Sequence, residues 1–226
     1  MIKVEICCNS RESAVAAKSG GAQRIELCRN LECGGLTPAD ADIEYCVRSL
    51  GLRTHVLVRP RSGDFVYTPA EMDDIIATIR RCGQLGAAAV VVGFLTAEGK
   101  VDAGLTRRAV DAAGGMEVTF HRAFDEARQD PLEALRVIAA CGCHRLLTSG
   151  QAPTAHEGAE VIRRLVGTTG VEILAGSGVT PANVCELIEK TGVREVHGSC
   201  KTTLPDGSIG TDAVQVRQLI DNIKNI

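Results

Sequence analysis

Eight short β-rich runs alternate with helical patterns along this 226-residue chain, and this alternation constrains its fold more than any other feature. The predicted strands cover residues 2–8, 24–28, 54–60, 88–95, 116–122, 144–150, 171–177 and 193–199. The predicted helices lie near residues 10–19, 38–50, 69–85, 103–113, 131–141, 155–167, 181–190 and 211–225. Eight βα units without a linker predict one α/β domain over residues 1–226, a (β/α)8 TIM-type barrel. The alternative is a doubly wound open sheet, which normally has only about five or six strands.

The amino-acid composition argues against several classes of function. The formal charge of −3 and the 45% hydrophobic content indicate a globular protein without the basic excess typical of nucleic-acid binding. Only 3% of residues are aromatic and Trp is absent, which argues against a stacking platform for single-stranded nucleic acid. No apolar run is long enough to span a membrane, and the first eight residues contain Glu5 and lack a signal-peptide layout. We therefore expect a cytoplasmic protein with neither nucleic-acid nor membrane partners.

The chain contains ten cysteines, but none of them forms a Cys-x-x-Cys pair. Thiols of a cytoplasmic α/β protein are expected to stay reduced, so most should be small core residues. No histidine and cysteine spacing matches a structural zinc site.

Strand alternation predicts which side chains enter the barrel, because residues that face the helices must be apolar. Val4 and Ile6 face the helices in the first strand, so Glu5 and Cys7 point inward. The same rule places the following side chains inside: Lys3, Arg24, Glu26, Cys28, His55, Leu57, Arg59, Arg61, Glu117, Thr119, His121, Glu195, His197 and Ser199. The sixth strand is ambiguous.

So many charges inside a barrel are unusual, since such interiors are normally filled by Val, Ile and Leu. An unpaired buried ion costs several kcal/mol, roughly, so the deeper charges are expected to pair as a structural network. That network is predicted to contain Lys3, Arg24, Glu117 and Glu172.

Polar residues near the carboxyl ends of the strands lie where barrel enzymes keep their sites. The stretch from Val118 to Asp125 runs from an alternating strand into histidine, arginine and carboxylate. Burial would raise the pKa of Glu26 and suit it to act as a general base, while a histidine could pass a proton. The candidate catalytic residues are Glu26, His121, His197 and Asp125.

Three loops on the same face predict an anion site. Arg59 and Arg61 could clamp an anion with bidentate geometry. Glycines before a helix N-terminus offer backbone N–H donors to a phosphate, although tight chain reversal explains such glycines equally well. The candidate anion-binding residues are Arg59, Arg61, Ser149, Gly150, Gly176, Ser177 and Gly178.

Seven motifs, in order along the chain, together resemble the CutC family of copper homeostasis proteins. They are Val4-Glu-Ile-Cys7, the segment 20–28, Gly34-Gly-Leu-Thr-Pro38, the segment 58–65, Thr119-Phe-His-Arg-Ala-Phe-Asp125, Leu147-Thr-Ser-Gly150 and Ala175-Gly-Ser-Gly178. The resemblance implies a TIM-type barrel, a cytoplasmic homo-oligomer (dimer or tetramer) and a role in copper handling. It also implies that Cys7 and Cys28 hold Cu(I), and it implies no organic cofactor. Cys8 and Cys200 match no family pattern.

Two functions from different classes remain open at this point. Soft thiolates select Cu(I), and adjacent strands could bring Cys7 and Cys28 together, although both could equally be ordinary buried cysteines. Alternatively, the protein is an enzyme that acts on a small anionic or phosphorylated metabolite by Glu/His acid–base chemistry. The fold alone does not decide between them.

Overall fold

The computed structural model describes residues 2–205 and 207–224. Eight parallel strands form a closed barrel in sequence order, because β1 pairs with both β2 and β8. The strands are β1 (Lys3–Cys8), β2 (Arg24–Leu27), β3 (Arg53–Leu57), β4 (Ala89–Val92), β5 (Glu117–Phe120), β6 (Arg145–Thr148), β7 (Glu172–Gly176) and β8 (Glu195–Gly198). The predicted (β/α)8 barrel is confirmed, and the open sheet is excluded.

A helix follows each strand. These are α1 (Arg11–Ser19), α2 (Asp40–Glu44), α3 (Pro69–Gln84), α4 (Ala103–Ala113), α5 (Pro131–Ala140), α6 (Ala159–Leu165), α7 (Val184–Thr191) and α8 (Ala213–Ile223). A π-helical turn over Tyr45–Ser49 extends α2. All eight predicted helices are present, although residue 225 of the last prediction lies outside the described residues. Within residues 2–205 and 207–224, no helix combines the length and apolarity needed to cross a bilayer.

Helix starts follow local chemistry. At the start of α3, the Thr68 hydroxyl accepts from the Glu71 backbone N–H and the Glu71 carboxylate accepts from the Thr68 backbone N–H. Pro69 lies in the first turn. The Asp130 side chain caps α5 by accepting from the backbone N–H groups of Leu132 and Glu133. The predicted start of the seventh helix at residue 181 was early, because a turn over residues 180–183 precedes α7.

An antiparallel hairpin, β9 (Lys201–Thr203) with β10 (Ile209–Thr211), follows β8. The sequence pattern did not predict it. It extends the barrel at the carboxyl end of the strands, where the Asn9 side chain donates a hydrogen bond to the Ile209 carbonyl.

The main core lies between the outer faces of the strands and the helices. Ile6, Ile25, Val56, Val90 and Val118 are all fully buried there, as strand alternation predicts. A second, small apolar cluster lies inside the barrel and consists of Cys7, Cys28, Leu57 and Val91. Leu147 also lines the cavity, and the charged and polar side chains of the interior define the site.

Candidate functional site

A cavity of about 710 Å³ opens at the carboxyl ends of the strands. Most of the residues predicted to form a site there do line it, namely Cys7, Glu26, Cys28, Arg59, His121, Asp125, Ser177, Gly178 and His197. Four others do not line it, namely Arg61, Ser149, Gly150 and Gly176. Strand alternation therefore predicted the cavity wall well and the loops less well.

The centre of the cavity floor is a carboxylate–histidine–carboxylate chain. His197 Nδ1 lies 3.0 Å from Glu5 Oε1, and His197 Nε2 lies 3.5 Å from Glu26 Oε2. Parallel pairing creates this contact, because Glu5 pairs with His197 across β1 and β8, while Cys7 pairs with Glu26 across β1 and β2. One imidazole therefore bridges two buried carboxyl groups.

The two carboxyl groups differ in acidity. Burial alone would raise the pKa of Glu5, but the charge of His55 and hydrogen bonds from His197 and His55 bring it well below the ordinary value. Burial dominates at Glu26 and raises its pKa to about 7, despite the opposing charge of His197. Burial opposes the charge on His197, yet hydrogen bonds with Cys7 and Glu5 raise its pKa well above the ordinary value. At neutral pH, Glu5 is ionised, His197 is protonated and Glu26 is close to half-protonated.

An ion network lies beneath this chain. Arg24 joins Glu5 (3.0 Å) to Glu195 (2.7 Å), and Arg145 joins Glu195 (2.9 Å) to Glu117 (2.8 Å). Arg24 and Glu117 are confirmed as members of an ion network, although they pair with other residues and not with each other. Arg145 resolves the ambiguity of the sixth strand.

Lys3 does join the network through an ion pair with Glu195 at 3.4 Å, but its side chain is 67% exposed and not buried as predicted. The prediction for Glu172 was wrong. Glu172 is half-buried and forms no ion pair with any residue in the described ranges. Both residues open their strands at the amino-terminal end, where a long side chain reaches water.

Cys7 and Cys28 lie side by side on the same wall, with their Sγ atoms 3.9 Å apart. Ligand atoms of Cys7, Glu26 and His197 all lie within 4.8 Å of one another. The hydrogen bond with Cys28, together with burial, raises the pKa of Cys7 well above its ordinary value. Cys7 is therefore a protonated thiol at neutral pH. A metal would have to displace its proton.

His121 lies on the opposite wall and does not fit the predicted role of neutral-pH acid or base. Burial and the charge of Arg59 lower its pKa to about 3. Its ring is fixed, because the Ala123 backbone N–H donates to Nδ1 at 3.1 Å and the ring packs on Gly93. A Cβ at position 93 would lie 2.3 Å from Nδ1, so only glycine permits this approach.

The two arginines that were predicted to bind an anion lie in different places. Arg59 lines the cavity and donates through its Nη atoms to the carbonyls of Cys33, Gly35 and Gly63. The prediction for Arg61 was wrong: this side chain lies outside the cavity over the Tyr67 ring. All five of its N–H groups are used by acceptors of its own loop and of α3, namely Ser62, Asp64, Val66 and Glu71.

Asp125 is a tether between two loops, and the predicted catalytic role does not fit its contacts. It accepts hydrogen bonds from the Thr148 hydroxyl, from the backbone and hydroxyl of Ser149, and from the Gln151 backbone. Arg122 adds an ion pair at 2.9 Å. Ser149 serves this tether and is fully buried.

Two glycines predicted to bind an anion have packing roles instead. A Cβ at Gly150 would lie 2.4 Å from the Gly158 carbonyl oxygen, so this residue allows the loop after β6 to approach α6. A Cβ at Gly176 would lie 2.5 Å from Leu147 and 3.2 Å from the Cβ of His197. Gly176 therefore leaves room for His197.

Ser177 and Gly178 both have positive φ angles, of 80° and 71°, and they carry the chain across the cavity mouth. The Ser177 hydroxyl donates to the Pro153 carbonyl. The Asn183 side chain accepts from the Thr180 backbone N–H and donates to the Gly178 carbonyl, so it orders the loop before α7 and does not cap that helix.

Two important residues were absent from the predicted site. Glu5 and His55 are both fully buried, and His55 Nδ1 lies 2.7 Å from Glu5 Oε2. Alternation had placed both inside the barrel, but it gave no sign that Glu5 would hold the bridging histidine.

The other thiols have simpler surroundings. Cys8 faces the helices and is fully buried in the main core. Cys200 lies at the cavity rim with a φ of 43°. All ten cysteines are free thiols.

The fold and the floor of the cavity define the class of protein: a TIM-type barrel with a polar, charge-lined cavity at the carboxyl ends of its strands. The chain belongs to the CutC family, whose model matches residues 2–202.

Its relatives cover most of its length. A CutC family protein of Chromobacterium violaceum is 44% identical over 88% of this chain and 81% of its own. One of Bacteroides fragilis is 42% identical over 90% of this chain and 82% of its own. The crystal structure described as a copper homeostasis protein CutC from Streptococcus agalactiae has a TM-score of 0.83 and 31% identity, covering 88% of this chain and 99% of that chain.

Distant structures share the fold alone. Thiamine phosphate pyrophosphorylase from Pyrococcus furiosus matches with a TM-score of 0.65 at 15% identity, covering 99% of this chain and 96% of that chain.

Proposed function

We propose that this protein is an enzyme that transfers a proton on a small anionic metabolite, with Glu26 as the general acid–base group. The observation that carries the proposal is geometric: Glu26 is a buried carboxyl group on the cavity wall, 3.5 Å from His197, and its burial raises its pKa to about 7. A group that is half-protonated at the working pH both accepts and donates protons efficiently. His197 has its charge fixed by Glu5, so it orients Glu26 and stabilises its ionised form.

The cavity suits a metabolite better than a lone ion. Its volume of about 710 Å³ is within the range of small-molecule sites, roughly 300–1,000 Å³. Arg59 and Lys201 supply positive charge at the wall and mouth. These features support an anionic substrate.

Proton transfer can be tested without a known substrate. We would incubate the protein in D2O with a fractionated metabolite extract and detect the compounds that gain deuterium by mass spectrometry. Wild type and the exposed-site control Glu98→Gln should label the same compound, and Glu26→Gln should not. Labelling that survives in Glu26→Gln would contradict the assignment.

A second candidate function, Cu(I) binding, is favoured by the two thiols 3.9 Å apart. The relative from Streptococcus agalactiae is described as a copper homeostasis protein. The donor set fits this metal, since soft thiolates select Cu(I), and Cys7 and Cys28 would hold it with His197 nearby. The raised pKa of Cys7 means that binding releases protons and weakens as the pH falls.

Anaerobic Cu(I) titration against a competing chelator tests this site. Wild type and a Cys141→Ser/Cys185→Ser control should bind about one equivalent, and Cys7→Ser/Cys28→Ser should lose it. Equal affinity in the two double variants would rule out the site. A cytoplasmic location and a homo-oligomeric state complete the proposal; fractionation and light scattering test them.

A further inference from the structure

The cavity wall above β3, the strand next to that of Glu26, holds a cation that pairs with no carboxylate of the described residues. Arg59 is only 6% exposed, and no carboxylate within the described ranges lies within 4.0 Å of its guanidinium. Its Nη atoms are held by three backbone carbonyls, which fix its position but leave its charge in place. Since a buried ion without a counter-ion is costly, this position is suited to an anionic ligand.

A second buried donor lies beside it. Nδ1 of His121 accepts the Ala123 N–H, so the single proton of the neutral ring is on Nε2. His121 is 6% exposed, and Nε2 has no hydrogen-bond partner among the described residues. A buried N–H without an acceptor is rare in a folded protein, and it indicates a missing ligand atom.

The two groups belong to one place in the cavity. The Phe65 ring contacts both groups, with its centroid 4.9 Å from the His121 ring and 4.9 Å from Arg59 Cζ. All three residues line the cavity that also contains Glu26.

We infer that His121 and Arg59 form an oxyanion subsite, in which the neutral imidazole donates Nε2–H to a carboxylate or phosphate oxygen of the ligand. This inference rests on the proposed function for its biological meaning, because it places the anionic end of the substrate in the cavity that also holds the proton-transfer group. His121 is thus a hydrogen-bond donor. Its low pKa keeps it neutral at every physiological pH.

The test uses the full chain and two probes, inorganic phosphate and malonate, with chloride at matched ionic strength as the reference. At least one probe should raise the melting temperature of wild type above the chloride reference. His121→Phe keeps an aromatic ring against Phe65 but removes the donor, and it should weaken probe binding about 10- to 100-fold. The control His156→Gln changes a histidine outside the cavity and should bind as wild type does.

Phosphate alone would indicate a phosphoryl ligand, and malonate alone would indicate a carboxylate. No shift beyond chloride in wild type, or equal affinity in His121→Phe, would overturn the subsite. Long-range proton–nitrogen NMR of wild type is independent of that variant's folding. It should show a neutral Nε2–H tautomer for His121 whose signal moves with the probe; an Nδ1–H tautomer would also overturn the inference.

The two proposals fail separately. Probe binding that depends on His121, without any deuterium incorporation, would leave the subsite standing and remove the proton-transfer function. Deuterium incorporation by His121→Phe at the wild-type rate would leave the proton-transfer function standing and remove the subsite.

Discussion

Replacing Glu26 with Gln should make the folded protein more stable while it abolishes proton transfer. The variant keeps the shape of the protonated carboxyl group but cannot ionise. Natural catalytic groups are often held in such unfavourable states, so a gain in stability with a loss of function is a signature of a functional carboxylate.

The magnitude follows from the pKa. The value rises from 4.5 to about 7 in the folded state. Each pKa unit corresponds to about 1.4 kcal/mol, so the wild-type protein loses about 3 kcal/mol of stability between these two pH values. The sign is clear, because the folded state holds a proton that the unfolded chain has released. Below pH 4.5 the two proteins should be equally stable, and above pH 7 the variant should be more stable by the full amount.

Urea unfolding from pH 4 to pH 8.5 measures this difference directly. In thermal unfolding at pH 8, the melting temperature of Glu26→Gln should exceed that of wild type by about 6–12 °C for a chain of this size. The exposed Glu98→Gln variant controls for the loss of one negative charge. Parallel pH profiles for wild type and Glu26→Gln would refute the raised pKa and, with it, the main support for acid–base chemistry.

Three further variants test the surrounding structure. Glu5→Gln should destabilise the protein by about 3–5 kcal/mol at pH 7 in urea unfolding, because it leaves buried Arg24 and His197 without their shared anion, and the deficit should shrink below pH 4.5, where Glu5 begins to lose its advantage. Gly93→Ala should cost about 1–3 kcal/mol in the same assay, since its Cβ would lie 2.3 Å from the His121 ring. Arg61→Met should leave the phosphate- or malonate-induced shift in melting temperature unchanged, because its donors already have protein acceptors; a lost shift would return Arg61 to the anion site.

The sequence predicted the barrel and the direction of its side chains because both follow from periodicity. Alternation placed Cys7, Glu26 and His197 on the inner face, and the structure brings all three together. Periodicity does not count hydrogen-bond donors and acceptors. Arg61 and Asp125 looked functional as residue types, but neighbouring loops use their polar atoms, and those contacts arise from loop conformations that no strand pattern specifies.

The sequence could not predict the protonation states either, because they depend on which charged partner lies closer to each group. His121 follows β5 and His197 lies within β8, yet both line the same cavity, and the pKa of one falls while that of the other rises. Burial favours the neutral form of both rings. Arg59 lowers the pKa of His121 further, whereas hydrogen bonds with Cys7 and Glu5 and the charge of Glu26 raise the pKa of His197.

The ion network beneath the cavity explains why Glu26 is the carboxyl group left near half-protonation. Along the floor, carboxylates and cations alternate from Glu117 through Arg145, Glu195 and Arg24 to Glu5. The last cation in this series, His197, lies closer to Glu5 (3.0 Å) than to Glu26 (3.5 Å). Glu5 has further cationic support from Arg24 and His55, while the ionised form of Glu26 is favoured by the shared histidine and a hydrogen bond from Cys7 but opposed more strongly by burial. The network therefore fixes the charge of Glu5 and leaves the titrating proton on the residue that faces the cavity, which is where a proton-transfer enzyme needs it.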